Sequence, residues 1–320
     1  MPRLLLVKTS SLGDVVHNLP VLADIRAYYP DMRFDWVVEE SFAEIPALHP
    51  AVSTVIPVAL RRWRKSPLAG ATWREIAAFR QRLQQQRYDL VLDTQGLLKS
   101  ALIARCAVGV RHGQDRASAR EPLAAMFYHH PHSVPRGQHA VLRNRQLAAL
   151  ALGYPLPQSP PDYGIRAPQL ASPLALPDRY LVGLHATSRD SKLWPEAHWV
   201  ALGLQLAGQG YALLLPWGSE RERQRAQAIA AQVPQAVVLP RLRLAELAAV
   251  LAGARAAVGV DTGLVHLAAA LGVPTVAIYT DTAPLLTGVY PGGSPAANLG
   301  GAGQNPDPKV VYNTLIDMVK

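Results

Sequence analysis

The stretch "RLLLVKTSSLGDVVHNLP", Arg3 to Pro20, decides how the rest of the chain is read. Its apolar run "LLLV" is too short for the apolar region of a signal peptide and suits a strand buried on both faces, as in parallel sheets. The chain then turns, and Asp14 stands where a helical segment begins. Pro20 interrupts that segment, which predicts a short turn after Asp14 and a helix from about Pro20 to Tyr29. A helix N-terminus attracts anions, so a nucleotide-binding junction would leave this place open. An acid there implies a task other than phosphate binding.

Working outward, strand-like runs alternate with helical patterns: "FDWVV", "VSTVIPV", the helical "WREIAAFRQRLQQQ", "DLVLD" and "LLKSALIARCAV". Such alternation predicts a parallel sheet covered by helices. From Gly153 to Pro177 the texture becomes proline-rich and loses periodicity, as a linker would. The alternation then restarts with "YLVGLHA", a helix with Pro195 at its first turn, "YALLLPWG", a charged helix from Ser219 to Gln232, "AVVLP", "LAELAAVLAGA", "AAVGVD", "GLVHLAAALG" and "PTVAIYT". The tail "DPKVVYNTLIDMVK" reads as an amphipathic helix. The expected class is α/β, with two Rossmann-like domains facing across a cleft: residues 1–165, residues 176–305, and a C-terminal helix over 306–320. A length of 320 residues suits two cores.

The formal charge of +9 calls for an anionic partner: nucleic acid, an acidic membrane face or a phosphorylated substrate. Nucleic acid is the weaker reading, because aromatics are 7% and no nucleic-acid motif is present. No apolar run approaches the roughly 20 residues that span a bilayer, so a soluble, cytoplasmic protein is expected. Cys106 is the only cysteine; it excludes an internal disulfide and reads as a small core residue. "HHPH", 129–132, has metal-like composition without a carboxylate or cysteine at ligand spacing and reads as a loop; no metal is expected.

Ligands of open parallel sheets collect beyond the carboxyl ends of the strands. Four junctions qualify: "SSLGD" (10–14), "HATSRDSKLWP" (185–195), "PWGSERER" (216–223) and "VDTGLVH" (260–266). Branched Val15 and Val16 crowd the backbone after Asp14. After Asp261, Thr262 and Gly263 offer a hydroxyl and bare backbone that phosphate can approach. Thr187, Ser188, Arg189 and Lys192 are donors suited to a diphosphate, and Glu222 has two oxygens for the hydroxyls of a ribose. The dinucleotide fingerprint Gly-x-Gly-x-x-Gly is missing from the first junction and the P-loop motif from the whole chain, so hydride transfer and P-loop hydrolysis lose support.

"KTSSLGDVVHNLP", "FDWVVEE", "IPVALRRWRK", "DTQGLLKSAL", "HATSRDSKLWPEAHW", "LPWGSERE" and "VDTGLVHLAAALGVP" lie in order along the whole chain and resemble the bacterial lipopolysaccharide heptosyltransferases of glycosyltransferase family 9. "RRWRK" with "FDWVVEE" favours type I over type II. The resemblance implies a GT-B glycosyltransferase without a cofactor, in which the second domain binds ADP-L-glycero-D-manno-heptose. The heptose then passes, with inversion, to the first Kdo of Kdo2-lipid A at the cytoplasmic face of the inner membrane. It implies Asp14 as general base, and it makes Asp261 a sugar-contacting acid and His266 a further donor contact. Because a nucleoside diphosphate leaves readily, one base suffices. On the acceptor side it implies Ser11, Gly13 and the block Arg61, Arg62, Arg64, Lys65, extended by Lys99, Arg120 and Arg143.

Plainer readings stand beside these. Asp14 is also a favoured helix cap, Lys192 an ordinary solvated lysine, His266 a packed helix histidine, Asp261 a turn former and "RRWRK" a solvated face. A heptosyltransferase II-like enzyme or a nucleotide-sugar epimerase would use the same architecture. One departure from the family pattern falls at "YTDTAP", where its members usually read Tyr-Gly-Pro-Thr-Asp-Pro; contacts from Thr280 to Pro284 are therefore open.

Overall fold

The computed structural model describes residues 1–169 and 174–320, and the chain divides into two compact units, Met1–Gly164 and Ile165–Lys320. The proline-rich stretch 153–177 spans that division, and its residues 170–173 lie outside the described residues.

Unit 1 begins with β1 (Arg3–Val7), α1 (Leu12–Val16), α2 (Pro20–Tyr28) and β2 (Arg33–Glu39). It continues through α3 (Glu44–Ala47), β3 (Val52–Val58), α4 (Leu60–Trp63), α5 (Gly70–Gln84) and β4 (Arg87–Asp93). It closes with α6 (Leu98–Cys106), β5 (Val108–Gln114), β6 (His130–His132) and α7 (Ala140–Leu152). The six strands are parallel in the order β3-β2-β1-β4-β5-β6. The run "LLLV" is fully buried in the middle of the sheet, as a strand covered on both faces requires. The break at Pro20 separates α1 from α2. On the far side of α2, Arg145 of α7 forms a buried bidentate pair with Asp24, at 2.6 and 3.0 Å.

Two expectations need correction here. "HHPH" is not a plain loop: its last three residues form β6, in register with β5 as His112↔His130 and His132↔Gln114. Pro131 is tolerated because β6 is an edge strand whose outer side needs no amide donor. Cys106 packs against the core cluster but is only partly buried.

Unit 2 runs β7 (Tyr180–Leu184), α8 (Glu196–Gly208), β8 (Ala212–Leu215), α9 (Glu220–Ala230), β9 (Ala236–Val238) and α10 (Leu244–Ala252). It ends with β10 (Ala256–Val260), α11 (Gly263–Ala270), β11 (Thr275–Tyr279), β12 (Ala296–Gly300) and α12 (Pro308–Val319). Its parallel order, β12-β11-β10-β7-β8-β9, repeats that of unit 1, each being the Rossmann arrangement in which strand order reverses beside the first strand. The α12 tail belongs to this unit: Val311 and Leu315 are fully buried in the cluster that holds Trp194, Trp199 and Val258. The sequence reading had no counterpart for β12, whose "AANLG" has no β-branched or aromatic residue and is broken by Asn298 and Gly300.

Candidate active site

In both units the strand order reverses between the first strand and its crossover partner, β1 and β4 in one and β7 and β10 in the other. Loops leaving these strands diverge to opposite faces and open a crevice at their carboxyl ends. The predicted site residues mostly gather at these two places.

In unit 1, Val7 lies beside Asp93, so the loop after β1 meets the loop after β4. Gln95 clamps it: Oε1 accepts from the amides of Thr9 (2.8 Å) and Ser10 (3.2 Å), and Nε2 donates to the Ser10 carbonyl. Gln95 is itself seated by Asp93 Oδ1, which accepts its amide at 2.8 Å. Gly96 follows at φ +65°, and a Cβ there would come within 2.7 Å of Gln114 Oε1. Asp14 therefore hangs from a braced loop. It is not the N-cap: Ser11 takes that place, and Asp14 Oδ2 reaches back to the Ser11 amide (2.7 Å) and hydroxyl (2.9 Å). Among the described residues no ion pair to Asp14 forms, and Oδ1 is left without a hydrogen bond from this loop.

Beneath it lies Lys8, which the sequence reading quoted without giving a role. The ammonium is buried, donates to the Thr94 carbonyl at 2.8 Å and approaches Asn144 Oδ1 at 3.5 Å. Burial lowers its pKa, Asp14 and Asp93 oppose that, and Arg143 and Arg120 add to it. A lysine directly after the apolar run "LLLV" was the available signal. Of the other basic residues, Lys99 reaches Ser10 Oγ at 3.2 Å, Arg143 donates to the Ser118 carbonyl at 2.9 Å, and Arg120 is exposed.

The block after β3 does not behave as four equivalent cations. Arg62 fills its guanidinium fork with Glu40 (3.1 Å twice) and Glu75 (2.8 Å), which raises its pKa. Arg61 lies 4.9 Å over the Phe42 ring, while Arg64 and Lys65 are exposed. Residues 64–71 are all exposed, Leu68 to 95%, and Trp73 follows at 63%.

In unit 2 the loops after β7, β8 and β10 converge on two adjoining cavities. One, of about 280 Å³, has an apolar wall from Trp217, Leu242, Leu244, Leu247 and Leu264, with Thr187, Ser188, Glu222 and Thr262 as its polar side. The other, of about 520 Å³, shares Thr187, Ser188 and Glu222 and adds Arg221 and Arg225. Trp217 is fixed by its indole N–H on the Leu239 carbonyl at 2.6 Å. Leu242 lies in an irregular stretch before α10, where no periodicity marks it in the sequence. Burial pushes His185, at the cavity floor, down to about 4, so it is neutral near pH 7.

Glu222 closes the capping box of α9. Its Oε2 accepts from the amides of Gly218 (2.6 Å) and Ser219 (3.1 Å), and neither bond uses Oε1. Thr262 caps α11 and Gly263 opens it. Lys192 Nζ pairs with Asp261 Oδ2 at 2.6 Å, and Thr187 Oγ1 donates to the Asp261 carbonyl at 2.8 Å. His266 is buried within α11, outside the lining of either cavity. Among the described residues no cluster of three or more His, Cys, Asp or Glu is placed to hold a metal.

The family model for glycosyltransferase family 9 (heptosyltransferase) matches residues 76–319. Lipopolysaccharide heptosyltransferase 1 of Pseudomonas aeruginosa is 56% identical over 294 residues, covering 90% of this chain and 81% of that protein. The structure of E. coli heptosyltransferase WaaC with ADP matches with a TM-score of 0.91 at 45% identity, over 98% of this chain and 99% of that one. The same enzyme with ADP-2-deoxy-2-fluoro heptose matches at 0.88 and 44% identity, with the same coverage.

Proposed function

Since this chain belongs to glycosyltransferase family 9, we propose that it moves L-glycero-D-manno-heptose from ADP-heptose to the first Kdo of Kdo2-lipid A, with inversion, during assembly of the lipopolysaccharide inner core. The observation that carries this reading is the pair of adjoining cavities at the strand-order reversal of unit 2. An apolar wall suited to a purine leads to Glu222 and then to the hydroxyls of Thr187, Ser188 and Thr262; Lys192 stands outside both linings, paired with Asp261, whose carbonyl accepts from the Thr187 hydroxyl, and the series follows the chemistries along a nucleoside diphosphate. Unit 2 is accordingly the donor-binding half. Adenine lies along Trp217 and the leucines, the ribose meets Glu222 Oε1, and the diphosphate meets Thr187, Ser188, Thr262, the Gly263 amide and Lys192. Asp261 faces the sugar. As the anomeric C–O bond breaks, charge grows on the diphosphate, and Lys192 stabilises it.

Unit 1 is the acceptor-binding half. Asp14 takes the proton of the acceptor hydroxyl as that oxygen attacks the anomeric carbon from the face opposite ADP, which forms one C–O bond, breaks another and inverts the centre. Two features support this role. Asp14 has no cation partner among the described residues, and its loop is held by Gln95. Lys99, Arg120 and Arg143, with Arg61, Arg64 and Lys65, supply cations for the carboxylates and phosphates of the acceptor. The exposed Leu68 and Trp73, flanked by Arg64, Lys65 and Arg74, suit peripheral docking to an anionic membrane face. Among the described residues no helix is long and apolar enough to cross a membrane.

Mass spectrometry of Kdo2-lipid A after incubation with ADP-heptose and the protein tests the reading. Addition of one heptose is expected. An unchanged acceptor, or a donor altered without any acceptor present, would replace the transferase with another nucleotide-sugar enzyme.

A further inference from the structure

Lys192 sits on a single 3₁₀ turn, Asp190–Lys192, closed only by the Lys192 amide on the Arg189 carbonyl (3.1 Å) and the Leu193 amide on the Asp190 carbonyl (3.0 Å). A turn this short is marginal by itself. It is held from outside by the three residues that follow β11. Thr280 Oγ1 donates to the Ser191 carbonyl at 2.9 Å, and the Ser191 hydroxyl donates to Asp281 Oδ2 at 2.7 Å. Thr282 Oγ1 donates at 2.7 Å to Asp261 Oδ2, the oxygen that Lys192 also holds.

The holding side is well anchored. Thr280 is buried, and its carbonyl accepts the Gly303 amide at 2.8 Å. The preceding Tyr279 accepts the Gly301 amide at its carbonyl (2.9 Å) and the Val289 amide at its hydroxyl (3.1 Å).

We propose that Thr280, Asp281 and Thr282 form a latch that positions Lys192 for the diphosphate of the donor. The proposal rests on the reading of unit 2 as the donor-binding half. A lysine carries its charge on a flexible stem, and ordering that stem opposes binding. Fixing the turn through Ser191 and the ammonium through Asp261 settles much of that ordering before the ligand arrives, so less affinity is lost on binding. These are positioning residues: they act on phosphate affinity through Lys192 and leave the purine cavity alone.

The test is calorimetric titration of the full-length protein with ADP and, separately, with adenosine, which lacks the phosphates. Asp281→Ala is expected to weaken ADP binding about 3- to 10-fold, the effect of one hydrogen bond. Asp281→Asn, whose amide oxygen still accepts from Ser191, should restore ADP affinity to within about twofold of wild type. The double variant Thr280→Val with Asp281→Ala should lose more than Asp281→Ala alone, and adenosine should bind all four proteins alike. Wild-type ADP affinity in the double variant would overturn the latch. So would equal losses for ADP and adenosine, which would mark damage to the cavity as a whole. A wild type that binds adenosine but gains nothing from the phosphates of ADP would instead remove the diphosphate role of Lys192, and the latch with it.

Discussion

Asp14 and Asp261 both stand beside the strand-order reversal of one topology used twice, Asp14 after the first strand of its unit and Asp261 after the crossover partner in the other, yet their surroundings have made them different chemical objects. Each follows a central strand and lies at the start of a helix, one in α1 and one just before α11. Asp261 shares a single oxygen between an ammonium and a hydroxyl, so its charge is matched within its own unit. Among the described residues Asp14 is held by the amide and hydroxyl of Ser11, three residues away, and pairs with no cation. Fold alone does not separate the two carboxylates. The partner on the carboxylate does.

The sharpest way to break this comparison is to remove each acid in turn. Asp14→Ala should lower kcat by about 10² to 10⁴, the range for a lost general base, and leave ADP affinity near wild type. Asp261→Ala should instead disturb donor binding, because it releases Lys192. Steady-state kinetics combined with ADP titration distinguishes the two. An Asp14→Ala protein that loses ADP binding and keeps turnover per bound donor would show that the two acids are alike.

The next largest effect belongs to Lys192. Its substitution by alanine should weaken ADP by roughly 1.5 to 3 kcal/mol, the value of a hydrogen bond to a charged group. Calorimetry returning wild-type affinity would leave the Asp261 pair as a purely structural contact.

Much of this was legible in the sequence, for identifiable reasons. The central strands are continuous apolar runs because both faces are covered, and ligands of such sheets collect at the junctions that follow them, so Thr187, Lys192, Glu222 and Asp261 could be marked as candidates without coordinates. What escaped was decided by partners distant in sequence. The engagement of Arg62 depends on Glu40 and Glu75, 22 and 13 residues away. Lys8 is buried against Thr94 and Asn144. The edge strands β6 and β12 have compositions that only pairing with a neighbour makes into strands.

The basic block carries the comparison from acids to cations. Reversing charge at Arg61 and Arg64 to Glu should raise the acceptor KM about tenfold or more, with ADP affinity unchanged, since each basic side chain near an anionic surface contributes on the order of 1 kcal/mol. Because these charges are exposed, the wild-type KM should rise with ionic strength and that of the variant should rise less. Arg62→Gln should matter less than either reversal, because its fork is already occupied. Normal acceptor kinetics at low salt in the double variant would make the block a solvated face.

The smallest expected effect concerns how acid acts on the two units. His49 in unit 1 and His185 in unit 2 are both pushed down to about 4, in each case chiefly by burial. An unfolded histidine titrates near 6.5, so between the two values the unfolded chain takes up protons that the folded chain refuses. The stability each neutral imidazole contributes is complete above about pH 6.5 and is lost as pH falls towards 4. Between pH 7.5 and 6 this amounts to about 1 kcal/mol or less per histidine. Unit 1 carries a further group, since His112 is also lowered to about 4, first by burial and then by His132, His130 and His129 around it. His112 Nδ1 lies 3.0 Å from His132 Nε2, a contact that needs one of the two rings neutral. Hydrogen exchange read by mass spectrometry, corrected for the intrinsic effect of pH, should therefore show unit 1 losing protection before unit 2 on acidification, with β5 and β6 leading. His112→Asn should narrow that difference, because it removes one of the groups that only the unfolded chain protonates. Equal loss in the two units would mean that the histidine edge of unit 1 adds nothing to its acid sensitivity, and that burial of one imidazole per unit accounts for the whole response.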